Sequence, residues 1–177
     1  MFLTYFKPRT KRWRATRAYA VMNGEAMKNQ IEIKIRVPNQ TRYLRLIGNL
    51  GENMAREISG LSDDRDAFAY NINVVLTEAM SNAIKHANAA NPDKDVTIRI
   101  TVSDTELAVR VYDNGLGFDP NSVPIPGLNT DCLSETGRGL FIIRSLMDSV
   151  VYRKADGGNV LEMRKSLKIK GGSTAGR

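Results

Sequence analysis

One cysteine, Cys132, and one histidine, His86, are all that this chain of 177 residues has of two residue types that build many covalent and metal-held frameworks. An internal disulfide needs two cysteines and a histidine-rich zinc cage needs several histidines, so both are excluded. Long apolar runs are missing as well. None approaches the roughly 18 residues that a membrane-spanning helix requires. Apolar residues nevertheless make up 42% of the chain and charged residues 25%, the balance of a globular protein rather than of a disordered one. The length suits one compact domain and is short for two. The expectation is a soluble, cytoplasmic domain.

Acidic residues are in deficit, which gives a net charge of +7. The excess is local. Residues 1–26 carry six basic side chains (Lys7, Arg9, Lys11, Arg12, Arg14, Arg17) against Glu25 alone, so five of the seven charges belong to this leader and the rest is nearly balanced. A basic arm that meets phosphates or an acidic partner is one reading of the leader. A signal peptide is not, because Pro8 and the arginines interrupt every apolar stretch. A loosely ordered extension upstream of Met27, which would make a natural first residue, is another. The expected organisation is a poorly ordered basic leader over residues 1–29, one domain over 30–167 and a flexible tail over 168–177.

Within the domain, residues 30–37 (QIEIKIRV) alternate with Ile31, Ile33, Ile35 and Val37 on one side, the pattern of a half-buried strand stopped by Pro38. Residues 41–59 place Leu44, Ile47, Leu50, Met54 and Ile58 at helical spacing and Gly60 closes the helix. Asp63 and Asp64 supply cap and first-turn acids to a second helix reaching about Asn88, with Phe68, Ile72, Val75, Ala79 and Ala83 as its buried stripe. Residues 95–102 and 106–112 form an antiparallel hairpin. Residues 114–136 hold three of the six prolines and no periodicity, and a loop of that length in a small domain is usually functional. A helix over 139–147 and strands over 149–154 and 159–165 follow. Strands and helices in this order predict an α/β two-layer sandwich: a mixed, mostly antiparallel sheet with about three helices on one face and a solvated opposite face carrying Thr97, Arg99 and Thr101.

Three local patterns carry chemistry. Glu78 and Asn82 lie four apart on the second helix and so stack on one face, with Lys85 continuing the stripe and His86 next to it. A solvated surface would give the same stripe. Asp113-Asn114-Gly115-Leu116-Gly117 ends a strand; its aspartate can accept a hydrogen bond from an amine, and its glycines let a flat ring approach the backbone. Gly137-Arg138-Gly139-Leu140 opens a helix, and the N–H groups at a helix N-terminus suit a phosphate. Either glycine pair alone would also fit a turn or a helix boundary; the three patterns together are harder to dismiss. His86 fits a structural role as well as a ligand role, and Arg138 fits a phosphate contact as well as a solvated side chain. Nothing in the sequence around Cys132 points to an activated thiol.

Taken together, these boxes resemble the GHKL ATPase superfamily, which includes gyrase, the heat-shock chaperone ATPases and the sensor histidine kinases. Within it the chain is most similar to the bacterial anti-sigma-factor serine kinases, over roughly residues 30–165. The family's E-x-x-x-N box is matched by Glu78 and Asn82, its D-x-G-x-G box by Asp113, Gly115 and Gly117, and its second glycine box by Gly137 and Gly139. The closing Gly-Thr of the family stands here as Gly158-Asn159, a departure at the strand that borders the adenine site. The resemblance implies ATP and Mg2+ as ligands. Glu78 would be the general base, Asn82 would lend its amide oxygen to the metal, and Asp113 would read the adenine amine between Gly115 and Gly117. Lys85, His86, Arg138 and the amides of Gly137, Gly139 and Leu140 would face phosphate, and residues 118–136 would form a lid.

The same resemblance implies an ATP-dependent serine/threonine protein kinase acting as an anti-sigma regulator. Its partners would be a small anti-sigma-factor antagonist protein, a sigma factor and a second copy of itself, with no membrane and no direct nucleic-acid contact expected. The alternative is a partner-switch module that binds ATP only as a conformational ligand.

Overall fold

The computed structural model describes residues 30–61, 64–88, 93–115, 117, 135–155 and 157–169, apart from the side chains of 86–88 and 135–137. The alternating first segment forms strand β1 (Ile31–Pro38). A single 3-10 turn, Thr41–Tyr43, leads into helix α1 (Leu44–Arg56), so the helix starts three residues later than its periodicity predicts. Helix α2 runs over Arg65–Asn88. Its cap is Asp64, whose Oδ1 accepts hydrogen bonds from the N–H groups of Asp66 at 3.0 Å and Ala67 at 3.3 Å, satisfying donors that the helix itself cannot. Asp63, the other expected cap residue, lies outside the described residues.

Strands β2 (Asp95–Val102) and β3 (Glu106–Asp113) form the expected hairpin. Helix α3 (Glu135–Leu146) then leads to β4 (Ser149–Ala155) and β5 (Gly158–Ser166). Sheet order is β1-β2-β3-β5-β4 and every pairing is antiparallel. The sheet is therefore not mixed as predicted. A strand–helix–strand passage from β3 through α3 to β4 would make a parallel pair if the two strands were neighbours. Here β5 turns back between them and removes that contact. Beyond β5, Ile169 bridges to Leu61, which ties the first residues of the predicted tail to the domain. Among the described residues no helix is long and apolar enough to cross a membrane.

The core lies between the sheet and the helices. Val96, Ile98, Ile100, Leu107, Val109, Val111, Leu161 and Met163 meet Ile47, Ile72, Val75, Leu76, Ala79 and Ile143, all buried. Phe68, Ile72, Val75, Ala79 and Ala83 form the inner stripe of α2, as periodicity predicts. Helices α1 and α2 approach closely at Gly48 and Gly51: a Cβ on Gly51 would lie 1.9 Å from Leu76 Cδ1. The absence of side chains there sets the distance between the two helices, and hence the position of the α2 residues that follow.

The opposite face of the sheet is charged. Glu162 on β5 receives Arg110 from β3 and Arg164 from its own strand, and Arg164 also reaches Glu106. Partial burial opposes ionisation of Glu162, but the hydrogen bonds from Arg110 and Arg164 outweigh it and hold the carboxyl below the ordinary glutamate range. A depressed folded value means that the stabilisation is complete above the unfolded value, about pH 4.3, and fades as pH falls through the folded one. Urea midpoints measured from pH 7 to pH 3 are expected to drop below about pH 4, and Glu162→Gln is expected to flatten that drop. An acid limb identical in the two proteins would contradict this role.

Candidate functional site

Helix α2, which carries Glu78 and Asn82, packs against both α3 and β3. Helical geometry puts Glu78 and Asn82 one turn apart on one side of α2. That side faces Gly139 of α3: a Cβ there would lie 2.6 Å from Glu78 Oε2, 3.4 Å from Asn82 Oδ1 and 3.5 Å from Asn82 Nδ2. Both polar side chains are half-buried. Among the described residues neither is engaged in a hydrogen bond or ion pair. Two convergent oxygen-bearing groups, partly removed from water and unused by the fold, are the expected signature of groups kept for a ligand.

The second cluster is built on the paired strand ends of β3 and β5, where Asp113 lies opposite Asn159. Asp113 Oδ1 accepts from the Gly115 N–H at 2.8 Å and from Asn159 Nδ2 at 2.8 Å, and Asn159 Nδ2 also donates to the Gly115 carbonyl at 3.1 Å. The chain thus curls around the aspartate in a tight Asx-type turn. Gly117 has φ +82°, a conformation that favours glycine, and a Cβ there would fall 2.6 Å from Asn159 Oδ1. Lys94 Nζ donates to the Asn114 carbonyl at 3.0 Å and fixes the outer side of the turn.

The sequence motifs therefore map onto two groups of neighbours, Glu78–Asn82–Gly139 and Asp113–Gly115–Gly117. Lys85 is exposed three residues beyond Asn82, and Arg138 is exposed beside Gly139. Helix α3 begins at Glu135 rather than at 139. Gly137 consequently belongs to the first turn, whose N–H groups lack helical acceptors, whereas Gly139 and Leu140 lie past it. Leu140 is buried in the core. Gly139 contributes its lack of a side chain beside Glu78 and Asn82. The side chain of His86, Cys132 and residues 118–134 of the expected lid over 118–136 lie outside the described residues, while the last two positions of that lid, 135 and 136, belong to α3. Asn159 and Lys94 were not among the predicted site residues. For Asn159 a signal existed, the departure from Gly-Thr; for Lys94 there was none.

The donor set fits a hard cation held mainly by phosphate. The amide oxygen of Asn82 and the Glu78 carboxylate are oxygen groups. Among the described residues no group of three or more His, Cys, Asp or Glu could cage a metal without other ligands. The glycine gap at Gly139 is a cradle that any side chain would fill.

A family model described as the histidine kinase-like ATPase domain matches residues 37–165. The serine-protein kinase RsbW of Bacillus subtilis is 30% identical over 141 residues, covering 76% of this chain and 86% of its own length. The Staphylococcus aureus protein of the same name is 31% identical over 144 residues, with 77% and 87% covered. That of Listeria monocytogenes is 29% identical over 143 residues, with 73% and 84% covered.

Proposed function

Because the chain belongs to the histidine kinase-like ATPase family, we propose that it is an ATP-dependent serine/threonine protein kinase and anti-sigma regulator. In this reading it phosphorylates a serine of a small antagonist protein, holds a sigma factor when that antagonist is phosphorylated, and works as a homodimer. The observation that carries the reading is the convergence of Glu78 and Asn82 on Gly139, with a gap that a single methyl group would close. Relatives that are named serine-protein kinases support serine as the acceptor.

Each residue has a task that follows from its chemistry. Glu78 accepts the proton of the attacking serine hydroxyl as general base, which requires a carboxylate with no partner in the fold to compete for it. Asn82 offers an amide oxygen to Mg2+, which when bound would neutralise charge on the phosphates. Asp113 receives the base of the nucleotide, held in one rotamer by Gly115 and Asn159. Gly137, in the first turn of α3, offers its amide to phosphate, and Lys85 and Arg138 contribute positive charge at the rim.

Incubation with Mg-ATP and the antagonist protein is expected to place phosphate on a single serine of the antagonist, read by mass spectrometry. Antagonist left unmodified while ATP binds would reduce the protein to a nucleotide-gated binding module. Failure to bind ATP at all would remove the reading altogether.

A further inference from the structure

The end of the sheet away from Asp113 holds an opening that the nucleotide reading does not use. Beside the loop that joins β2 to β3, an open cavity of about 650 Å³ lies between the start of β1 and the end of α1. Ile31, Ile33, Met54, Val102 and Ile169 supply its apolar wall. Ile31 is 60% exposed and Ile169 41%, so large apolar side chains meet water where the two layers of the domain do not close. Glu57 and Asp104 line the same cavity. Both are exposed, and among the described residues neither takes an ion pair. An apolar hollow edged by acids suits an occupant that is apolar and basic together.

The chain contains such a segment, and it adjoins the cavity in sequence. Ile31 on the cavity wall is the first residue of β1, and residues 1–29, which lie outside the described residues, precede it. Residues 1–26 carry a net charge of +5, opposite in sign to Glu57 and Asp104. Ala18-Tyr19-Ala20-Val21-Met22 is an unbroken apolar run, preceded by Trp13 and by Arg12, Arg14 and Arg17. Asn23-Gly24 follows it. This dipeptide strongly favours a tight reversal, which lets the chain double back toward the cavity instead of continuing away along the line of β1. Tyr19 is twelve residues from Ile31. A tether that short presents the run to the cavity at roughly millimolar effective concentration, so even a weak contact is populated. The other apolar stretch of the leader ends at Phe6, 25 residues from Ile31, and a longer tether gives a lower effective concentration.

We propose that residues 13–22 of the leader dock into this cavity of their own chain. The side chains of Trp13, Tyr19, Val21 and Met22 cover Ile31, Ile33 and Ile169, and Arg14 and Arg17 pair with Glu57 and Asp104. Most of the stabilisation comes from the apolar surface removed from water, because ion pairs at an open rim contribute little. The charges instead decide which segment enters and in what direction. The basic leader is then a closing piece of the domain rather than an arm that meets phosphates.

Trp13 is the only tryptophan of the chain, so its fluorescence reports on the leader alone. In the full chain its emission is expected to lie to the blue of an exposed indole and its quenching by acrylamide to be hindered, independently of protein concentration. Ile31→Glu puts a charge on the cavity wall at a position exposed enough to leave the fold intact. It is expected to expose Trp13 and to speed tryptic cleavage after Arg14 and Arg17 at least about ten-fold, the change in open population that uncovering one large apolar side chain brings. Tyr19→Glu, a change outside the folded elements, is expected to do the same and repeats the test without touching the domain. Glu57→Lys with Asp104→Lys is expected to expose Trp13 in part, and adding Arg14→Glu and Arg17→Glu to restore its shielding. A Trp13 as accessible in the native protein as in urea overturns the proposal and leaves the cavity to another occupant. Shielding that survives both Ile31→Glu and Tyr19→Glu overturns it by placing the leader elsewhere. Shielding lost on dilution overturns it in favour of a second copy's cavity, and a charge swap that restores nothing overturns the pairing with Glu57 and Asp104.

Discussion

Glu78→Gln is expected to lower the rate of phosphoryl transfer to the antagonist about 10²–10⁴-fold, the usual contribution of a positioned general base, with little change in ATP affinity. The split follows from what the substitution preserves. Glutamine keeps the length and one oxygen of glutamate, so the approach to Gly139 and the packing of α2 on α3 remain as they are. It loses the negative charge and with it the capacity to take a proton. Single-turnover phosphorylation and ATP titration of the same preparation separate the two effects. A loss of ATP affinity as large as the loss of rate would place Glu78 in nucleotide binding and leave the base unassigned. A full rate with glutamine would show that the hydroxyl proton leaves by another route. Asn82→Ala is the complementary change: it removes an oxygen donor rather than a base, so its effect should lie in the magnesium dependence of ATP binding.

Most of the fold was legible because one face of each element is buried. Val96, Ile98 and Ile100 alternate with Thr97, Arg99 and Thr101 because β2 has the core on one side and water on the other. Phe68, Ile72, Val75, Ala79 and Ala83 recur at helical spacing because α2 lies over that core. Strand neighbours are not encoded in such patterns. Burial demands that β5 be covered, but only the return of its hairpin places it between β3 and β4 and makes the sheet antiparallel throughout. At the edge the pattern also misleads. Ile31 has the right parity for the core yet is 60% exposed, because β1 is an edge strand and Ile31 lines an open pocket with Met54 and Ile58 instead of being closed over by them, whereas Val37 at the other end is buried. The site was legible as three short boxes, since Glu78 and Asn82 share a face by helical geometry and glycines mark close approaches. The start of α3 at Glu135 was not, because the glycines at 137 and 139 read as a boundary when they lie inside the helix. Nor was the link between Asp113 and Asn159, residues 46 apart whose contact depends on strand register.

Gly158→Ala is the substitution expected to damage fold and site together. A Cβ on Gly158 would lie 2.0 Å from the carbonyl oxygen of Asp113 and 3.0 Å from Asn114 Oδ1. The obstructing atom belongs to backbone, so no side chain can rotate to relieve the overlap; β5 must move away from β3. That movement opens the Asp113–Asn159 pairing on which the glycine turn is built. Overpacking of this kind costs about 3 kcal/mol, which for a domain of this size lowers Tm by roughly 6–12 °C. ATP affinity should fall with it, even at temperatures where the variant is fully folded. Gly157, the preceding residue, provides the control. It has φ +78° but nothing within 4 Å of an added Cβ, so Gly157→Ala should cost only the left-handed backbone penalty of about 1–2 kcal/mol and leave ATP binding unchanged. Equal losses of affinity in the two variants would mean that nucleotide binding follows general stability. Loss in Gly158→Ala alone would tie it to the strand end that carries Asp113 and Asn159.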